Sequence, residues 1–344
     1  MRNMSEILGE YLDRLVTTSI ITRSYSTKAA HLILYELARK KQGAPLTYLA
    51  ARRLVDSVKK GDFVFLITGA GLKPYLWAGE TDGPLGVASL GRMFDWAFRA
   101  KPVIITDQEK MDALVATCNA ADLAVQPEEW VRKREYGAAV AEPFPLNDEM
   151  AKEAAEKLIE KYNPTAMIAI EMTGINAQGV MHSMNGVDIT QYVAKVHHLI
   201  NAARTKGILT IGIGDGGNEI GFGMIHDELH ALGGRFSDCS PCPCKGGVAT
   251  IVATDVLVAA AVSNWGAYGI EACVSAMVEN LDVMHNETIE RRMLEAGVDR
   301  GLGSGFGRQM LDVDGTTLEA NQALVTVIRE MVKNFLKKRE ARAF

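Results

Sequence analysis

The densest group of chemistry-bearing residues is the run Ile211-Gly212-Ile213-Gly214-Asp215-Gly216-Gly217-Asn218-Glu219-Ile220-Gly221-Phe222-Gly223. Asp215, Asn218 and Glu219 offer hard oxygen atoms that can hold a divalent cation or carry protons. The glycines around them let a small ligand approach the backbone. The bland alternative is a tight strand-to-helix turn in which Asp215 bonds its own backbone. Such a turn would not need so many glycines beside three polar groups. Gly212, Gly214 and Gly217 formally satisfy GxGxxG, but Asp215 and Glu219 put negative charge where a pyrophosphate would lie, so no nucleotide cofactor is expected.

A second group is Glu80-Thr81-Asp82-Gly83-Pro84-Leu85-Gly86. Asp82 or Gly83 at the N-cap with Pro84 at the first helical position reads as a helix start. Free amides at that start, from Gly83 to Gly86, would attract a carboxylate, while Glu80 and Asp82 would hold an ammonium group. The structural alternative is that Asp82 merely caps its own helix. A third group begins with Glu171-Met172-Thr173-Gly174 and continues to Asn185-Gly186-Val187-Asp188, where Asp188 can cap a helix. His182 lies between them as a candidate acid or base. Later come Thr254-Asp255 and Ser263-Asn264, the latter a helix start.

Two further motifs remain ambiguous. Cys239, Cys242 and Cys244 suggest zinc, with His226 and His230 as partners one helical turn apart. Structural zinc sites usually join two separated doublets, so reduced loop thiols are the expectation. The run from Gly301 to Arg308 is either an anion grip or a flexible turn.

These residues need a scaffold. Residues 5–60 read as helical, with Ile7, Leu8, Tyr11, Leu12 and Leu15 on one stripe and a second run from Ala29 to Lys40. From Asp62 onward, short apolar runs alternate with helical patterns, as in parallel βαβ units. Strands are predicted at Phe63–Thr68, Pro102–Thr106, Ala138–Ala141, Ala166–Ile170, Leu209–Ile213 and Val248–Ala253. Helices are predicted at Leu85–Arg99, Gln108–Ala120, Asp148–Tyr162, Ile189–Thr205, Asn264–Glu279, Glu287–Ala296 and Leu318–Lys337. The expected fold is α/β, a largely parallel sheet flanked by helices. Residues 1–60 form a helical N-terminal extension and residues 61–344 one catalytic domain. Ligands of such sheets sit at the carboxyl ends of the strands, where the polar groups above fall.

Composition narrows the function classes. The 344 residues carry 37 Lys plus Arg against 42 Asp plus Glu, a net charge of -5, with no basic block suited to nucleic acid. The apolar stretch Val256–Val262 is too short for a bilayer helix, and Met1–Glu6 lacks an export-type apolar run. Five cysteines do not make a secreted disulfide framework. A cytoplasmic protein is expected, with neither nucleic acid nor membrane as partner and with a homo-oligomer left open.

The run Gly212–Gly223, with Glu80-Thr81-Asp82-Gly83-Pro84 and Ser263-Asn264-Trp265-Gly266-Ala267-Tyr268, resembles the D-glutamate cyclase family. The resemblance runs from about Phe63 to the C-terminal helix, with the blocks in the family's order. It implies a hydro-lyase that converts D-glutamate to 5-oxo-D-proline and water, with dependence on a divalent metal, Mn²⁺ or Mg²⁺. Two stretches depart from the pattern. Met172 stands where family members carry an arginine, and Met181-His182-Ser183-Met184-Asn185 replaces a Tyr-Tyr-Asn-Met-like stretch.

Asp215 and Glu219 are therefore expected to bind metal or transfer protons, and Asn218 to orient the γ-carboxyl group. Glu171 and Asp188 are second candidates for either task. Glu80, Asp82, Gly83, Gly86, Asn185, Gly216, Gly217 and Asn264 complete a site for a small amino-acid or lactam substrate. Two alternatives stand beside this reading: a hydrolase or cyclase of another lactam or hydantoin-like ring, and a non-catalytic protein that binds an acidic metabolite.

Overall fold

The computed structural model describes residues 3–20, 30–305 and 307–337. The part of the predicted helical segment at 21–29 lies outside them, as do Phe306 and the chain beyond 337. Seven parallel strands form one sheet: β1 (Phe63–Ile67), β2 (Lys101–Thr106), β3 (Ala124–Val125), β4 (Ala138–Pro143), β5 (Ala166–Ile170), β6 (Leu209–Gly214) and β7 (Val256–Ala259). Their order is β3-β4-β2-β1-β5-β6-β7. The α/β fold, with helices preceding the sheet, is as the sequence leads one to expect.

The strands are continuous apolar runs because both faces are covered. In β1, Val64 and Leu66 point into one core while Phe63, Phe65 and Ile67 point into the other. In β5, Ile168 and Ile170 divide from Met167 and Ala169 in the same way. The first core is shared by Leu8, Leu12, Leu34 and Leu54 of the N-terminal helices with Tyr268, Met293 and Ile328 of the C-terminal ones. The second is closed by the helices Asp148–Tyr162 and His197–Thr205.

Two expectations are corrected, and one element was not expected. The last strand of the sheet is Val256–Ala259, not Val248–Ala253. The latter is a strap whose backbone serves other loops: the amide of Thr250 donates to the Gly217 carbonyl (3.2 Å) and that of Ile251 to the Ile175 carbonyl (2.9 Å). The predicted helix Ile189–Thr205 is a single turn at Thr190–Tyr192 followed by a shorter helix, His197–Thr205. Lys195 lies between them and donates to the carbonyls of Thr190 and Val193, closing the chain into a turn. Finally, a short hairpin, β8 (Asp312–Val313) with β9 (Thr316–Thr317), carries Asp314 at its turn.

This strand order places a topological switch at β1. Chain connections lead one way to β2, β4 and β3, and the other way to β5, β6 and β7. Open α/β sheets bind ligands at such a switch, outside the carboxyl ends of the strands, here β1 and β5.

Candidate active site

Three crossovers deliver acidic side chains to the carboxyl end of the sheet, and a fourth brings a serine and an asparagine. The loop after β1 brings Glu80 and Asp82, β5 ends on Glu171, β6 ends before Asp215 and Glu219, and β7 leads to Ser263 and Asn264. One oxygen each of Asp82, Glu171 and Asp215 lies within 4.8 Å of the others. Glu171 holds a left-handed backbone (φ 46), which for a residue with a Cβ costs about 1–2 kcal/mol. Its carboxylate accepts the Ser263 hydroxyl at 2.5 Å.

Asp82 does not cap its own helix. That helix, Pro84–Phe98, starts at Gly83 (φ 100), where a Cβ would lie 2.2 Å from Thr68 Oγ1. The Asp82 carboxylate reaches instead to the start of Ser263–Met277, accepting from the amides of Ser263 (2.8 Å) and Asn264 (2.7 Å) as well as Gly83 (3.0 Å). Asn264 returns the bond. Its Oδ1 accepts from the amides of Gly83 (2.8 Å) and Gly86 (2.7 Å), and its Nδ2 donates to the Thr81 carbonyl (3.0 Å). Two helix starts thus cap each other. The amides expected to grip a substrate carboxylate are already used.

The glycine loop is locked similarly. Glu219 is buried, and its two oxygens accept from the amides of Gly216 (2.8 Å) and Gly217 (2.7 Å). At Gly212 a Cβ would sit 2.3 Å from the Ile220 carbonyl oxygen, so only glycine lets this loop fold back on β6. Asn218 donates from Nδ2 to the His182 carbonyl (2.8 Å), which leaves its buried Oδ1 as an acceptor with no protein partner. The hydroxyls of Thr68, Thr81 and Thr106 are likewise buried without a protein partner.

Crowding sets the charge state. Burial, then repulsion from Asp314 and the neighbouring carboxylates, drives Glu80, Asp82 and Asp215 well above the ordinary carboxyl range. Glu171 rises through burial, then Asp215 and Glu219. Glu219 rises less freely: burial lifts it while the loop amides hold it down. The contact between Asp215 and Glu219 pushes Asp215 up and holds Glu219 down. Lys110 opposes the rise at Glu80. It is buried, paired with Asp107, and donates to the Tyr192 carbonyl at 3.2 Å.

Not every predicted residue comes here. Asn185 and Asp188 are exposed. Asp188 Oδ1 accepts the Thr190 amide (2.9 Å) and caps the single turn there, away from the carboxylate group. Met172 is buried beside the backbone at Gly69. The Gly301–Arg308 run is a closed turn in which the Ser304 amide donates to the Arg308 carbonyl (2.7 Å) and Arg308 itself is exposed. The bridge between Glu80 and Gly303 ties this turn to the site. Asp314 and Lys110 were not legible as site residues, since each arrives from a distant element.

Oxygen ligands from three crossovers, mutually repelled and lacking a fixed cation among them, suit a hard divalent ion or a substrate ammonium. The chain belongs to the D-glutamate cyclase-like, C-terminal family, whose model matches residues 19–329. Among its relatives is the human protein "D-glutamate cyclase, mitochondrial", 34% identical over 110 residues. That match spans 31% of this chain and 16% of the human protein. No helix among the described residues is long and apolar enough to cross a membrane.

Proposed function

We propose that the chain is a hydro-lyase that closes D-glutamate, or a close analogue, to a five-membered lactam with loss of water. The observation that carries this reading is the meeting of Glu80, Asp82, Glu171, Asp215 and Glu219 at the β1/β5 switch, with their carboxyls pushed toward the neutral form.

Lactam closure forms a bond between nitrogen and the carbon of the γ-carboxyl group and breaks one carbon–oxygen bond at that carbon. The ammonium gives up two protons, and the departing oxygen leaves with both as water. One group must therefore take a proton at nitrogen and another must deliver one at oxygen. Carboxyls with raised pKa values serve both tasks. In this reading Asp215, raised by burial and its acidic neighbours, delivers a proton to the leaving oxygen. Glu171, bonded to the Ser263 hydroxyl, takes one from nitrogen. Asn218 offers an acceptor, not a donor, which suits an amine N–H better than a carboxylate. Holding the chain curled between β1 and β5 removes much of the entropy barrier to closure.

As an alternative to those proton roles, the ionised oxygens of Asp82, Glu171 and Asp215 would hold a divalent ion such as Mg²⁺ or Mn²⁺. Such an ion supplies Lewis acidity, drawing charge from a bound carboxyl group. Both oxygens of Glu219 already serve the glycine loop, as both of Asp82 serve backbone amides at the two helix starts.

One observation favours a second reading, ring opening or closure of another cyclic amide. Met172 and the mutually capped amides leave little to grip a second carboxylate. A panel separates the two: D- and L-glutamate, 5-oxo-D-proline and 5-oxo-L-proline, and a hydantoin, each with and without Mn²⁺, followed by mass spectrometry. Loss of one water from D-glutamate supports the first reading, while conversion of only the ring compounds supports the second. Binding without conversion of any compound overturns both.

A further inference from the structure

The carboxylates are not the only group of ligating side chains. Cys239, Cys242, Cys244 and His182 each place one ligand atom within 4.8 Å of the others. The histidine comes from the hairpin after β5 and not from the helix holding His226 and His230. The thiol of Cys244 lies 3.6 Å from His182 Nε2 and 3.3 Å from the thiol of Cys239. For tetrahedral zinc, bond lengths of about 2.3 Å to sulfur and 2.0–2.1 Å to nitrogen place neighbouring S and N about 3.6 Å apart and neighbouring sulfurs about 3.8 Å apart. The two separations at Cys244 lie within about half an ångström of those values.

We propose that Cys239, Cys242, Cys244 and His182 form a closed Cys₃His site for zinc. Three soft thiolates and one imidazole select zinc over the hard cations that suit the carboxylates. Four protein ligands fill a tetrahedron and leave no open position, so the ion is structural. The surroundings are built for thiolate: Asn176 Nδ2 (3.5 Å) and the Gly246 amide (3.4 Å) both direct N–H groups at the Cys244 sulfur. Ordinary packing of reduced thiols does not need two such donors.

The site joins two loops that hydrogen bonds also tie together. Asn176 also donates to the Gly247 carbonyl (2.8 Å), and Arg235 donates to the Met184 carbonyl (2.9 Å). On the other side, the carbonyl of His182 accepts from Asn218. The zinc site thereby fixes the backbone that orients an amide in the glycine loop. It is a clasp, and His182 is a positioning residue.

The test is metal analysis of the full chain produced in zinc-containing medium, together with cobalt substitution. The expected result is one zinc per chain that survives dialysis. Replacement by Co²⁺ should give visible ligand-field and thiolate charge-transfer bands of tetrahedral cobalt. Cys239→Ser and Cys244→Ser should lose the zinc, whereas Asp215→Asn should keep it, which separates this site from the carboxylates. The cobalt spectrum of the unmodified chain does not depend on any variant folding. Substoichiometric zinc with three freely reactive thiols, a Cys239–Cys244 disulfide found by mass spectrometry, or octahedral cobalt without charge-transfer bands would each overturn the proposal.

Discussion

Replacing Asn264 by alanine tests whether the two helix starts at the site hold each other. The side chain is fully buried and makes three hydrogen bonds, accepting from Gly83 and Gly86 and donating to Thr81. Alanine leaves the Gly86 amide and the Thr81 carbonyl without partners where water has little access, while the Gly83 amide keeps Asp82. Each such loss costs about 1–3 kcal/mol, so the low end for two neighbouring losses is about 2 kcal/mol. Asn147 is the natural control: it caps Asp148–Tyr162 through the Met150 amide (3.0 Å) at an exposed site, where loss of a cap costs about 1 kcal/mol. Urea unfolding of both variants and the parent, followed by far-UV dichroism, gives the comparison if the slopes agree. Asn264→Asp would keep an acceptor but set a second carboxylate beside Asp82, so it should rescue little. A cost for Asn264→Ala no greater than that of Asn147→Ala would refute the reciprocal cap.

Other expectations follow from the charges. His285 is buried between Glu271 (2.7 Å) and Glu290 (3.3 Å); burial alone would lower its pKa, but the two carboxylates lift it to about 9. A raised histidine pKa stabilises fully below about 6.5 and is lost as pH climbs through 9. The gap corresponds to about 3 kcal/mol at ~1.4 kcal/mol per unit. Thermal unfolding from pH 6.5 to 9.5 should therefore show the parent losing stability relative to His285→Gln, which itself should be about 3–5 kcal/mol less stable near neutrality; parallel pH profiles would contradict this. Mn²⁺ should bind the carboxylate cluster more tightly at pH 8 than at pH 6 and release protons, because carboxyls with raised pKa must ionise first. Calorimetry in two buffers of different ionisation enthalpy measures that release, and an affinity independent of pH would argue against the donor set.

The sheet was legible where strands are unbroken apolar runs covered on both faces, as at Phe63–Ile67 and Ala166–Ile170. It was illegible at the C-terminal edge. Val248–Ala253 has strand composition but spends its amides on Gly217 and Ile175, while Val256–Ala259 merges into Ala260–Val262 with no local boundary. Site residues that follow strands directly, Glu171 and Asp215, announce themselves by position. Partnerships do not. Asp82 caps a helix 182 residues away, and His182 lies 62 residues from Cys244 with no spacing rule to link them. A short motif records the chemistry a residue offers, but only the folded chain records which groups it meets.

The account stands most directly on the carboxylate cluster as the place of turnover. Rates of product formation should be compared, at saturating Mn²⁺ and with the fold checked by dichroism, for the parent, Glu171→Gln, Asp215→Asn and the exposed control Asp188→Asn. The account predicts that the first two variants lose about 10²-fold or more of turnover, the scale of a lost acid or base, while Asp188→Asn stays near the parent. Near-parental rates in both Glu171→Gln and Asp215→Asn would contradict it.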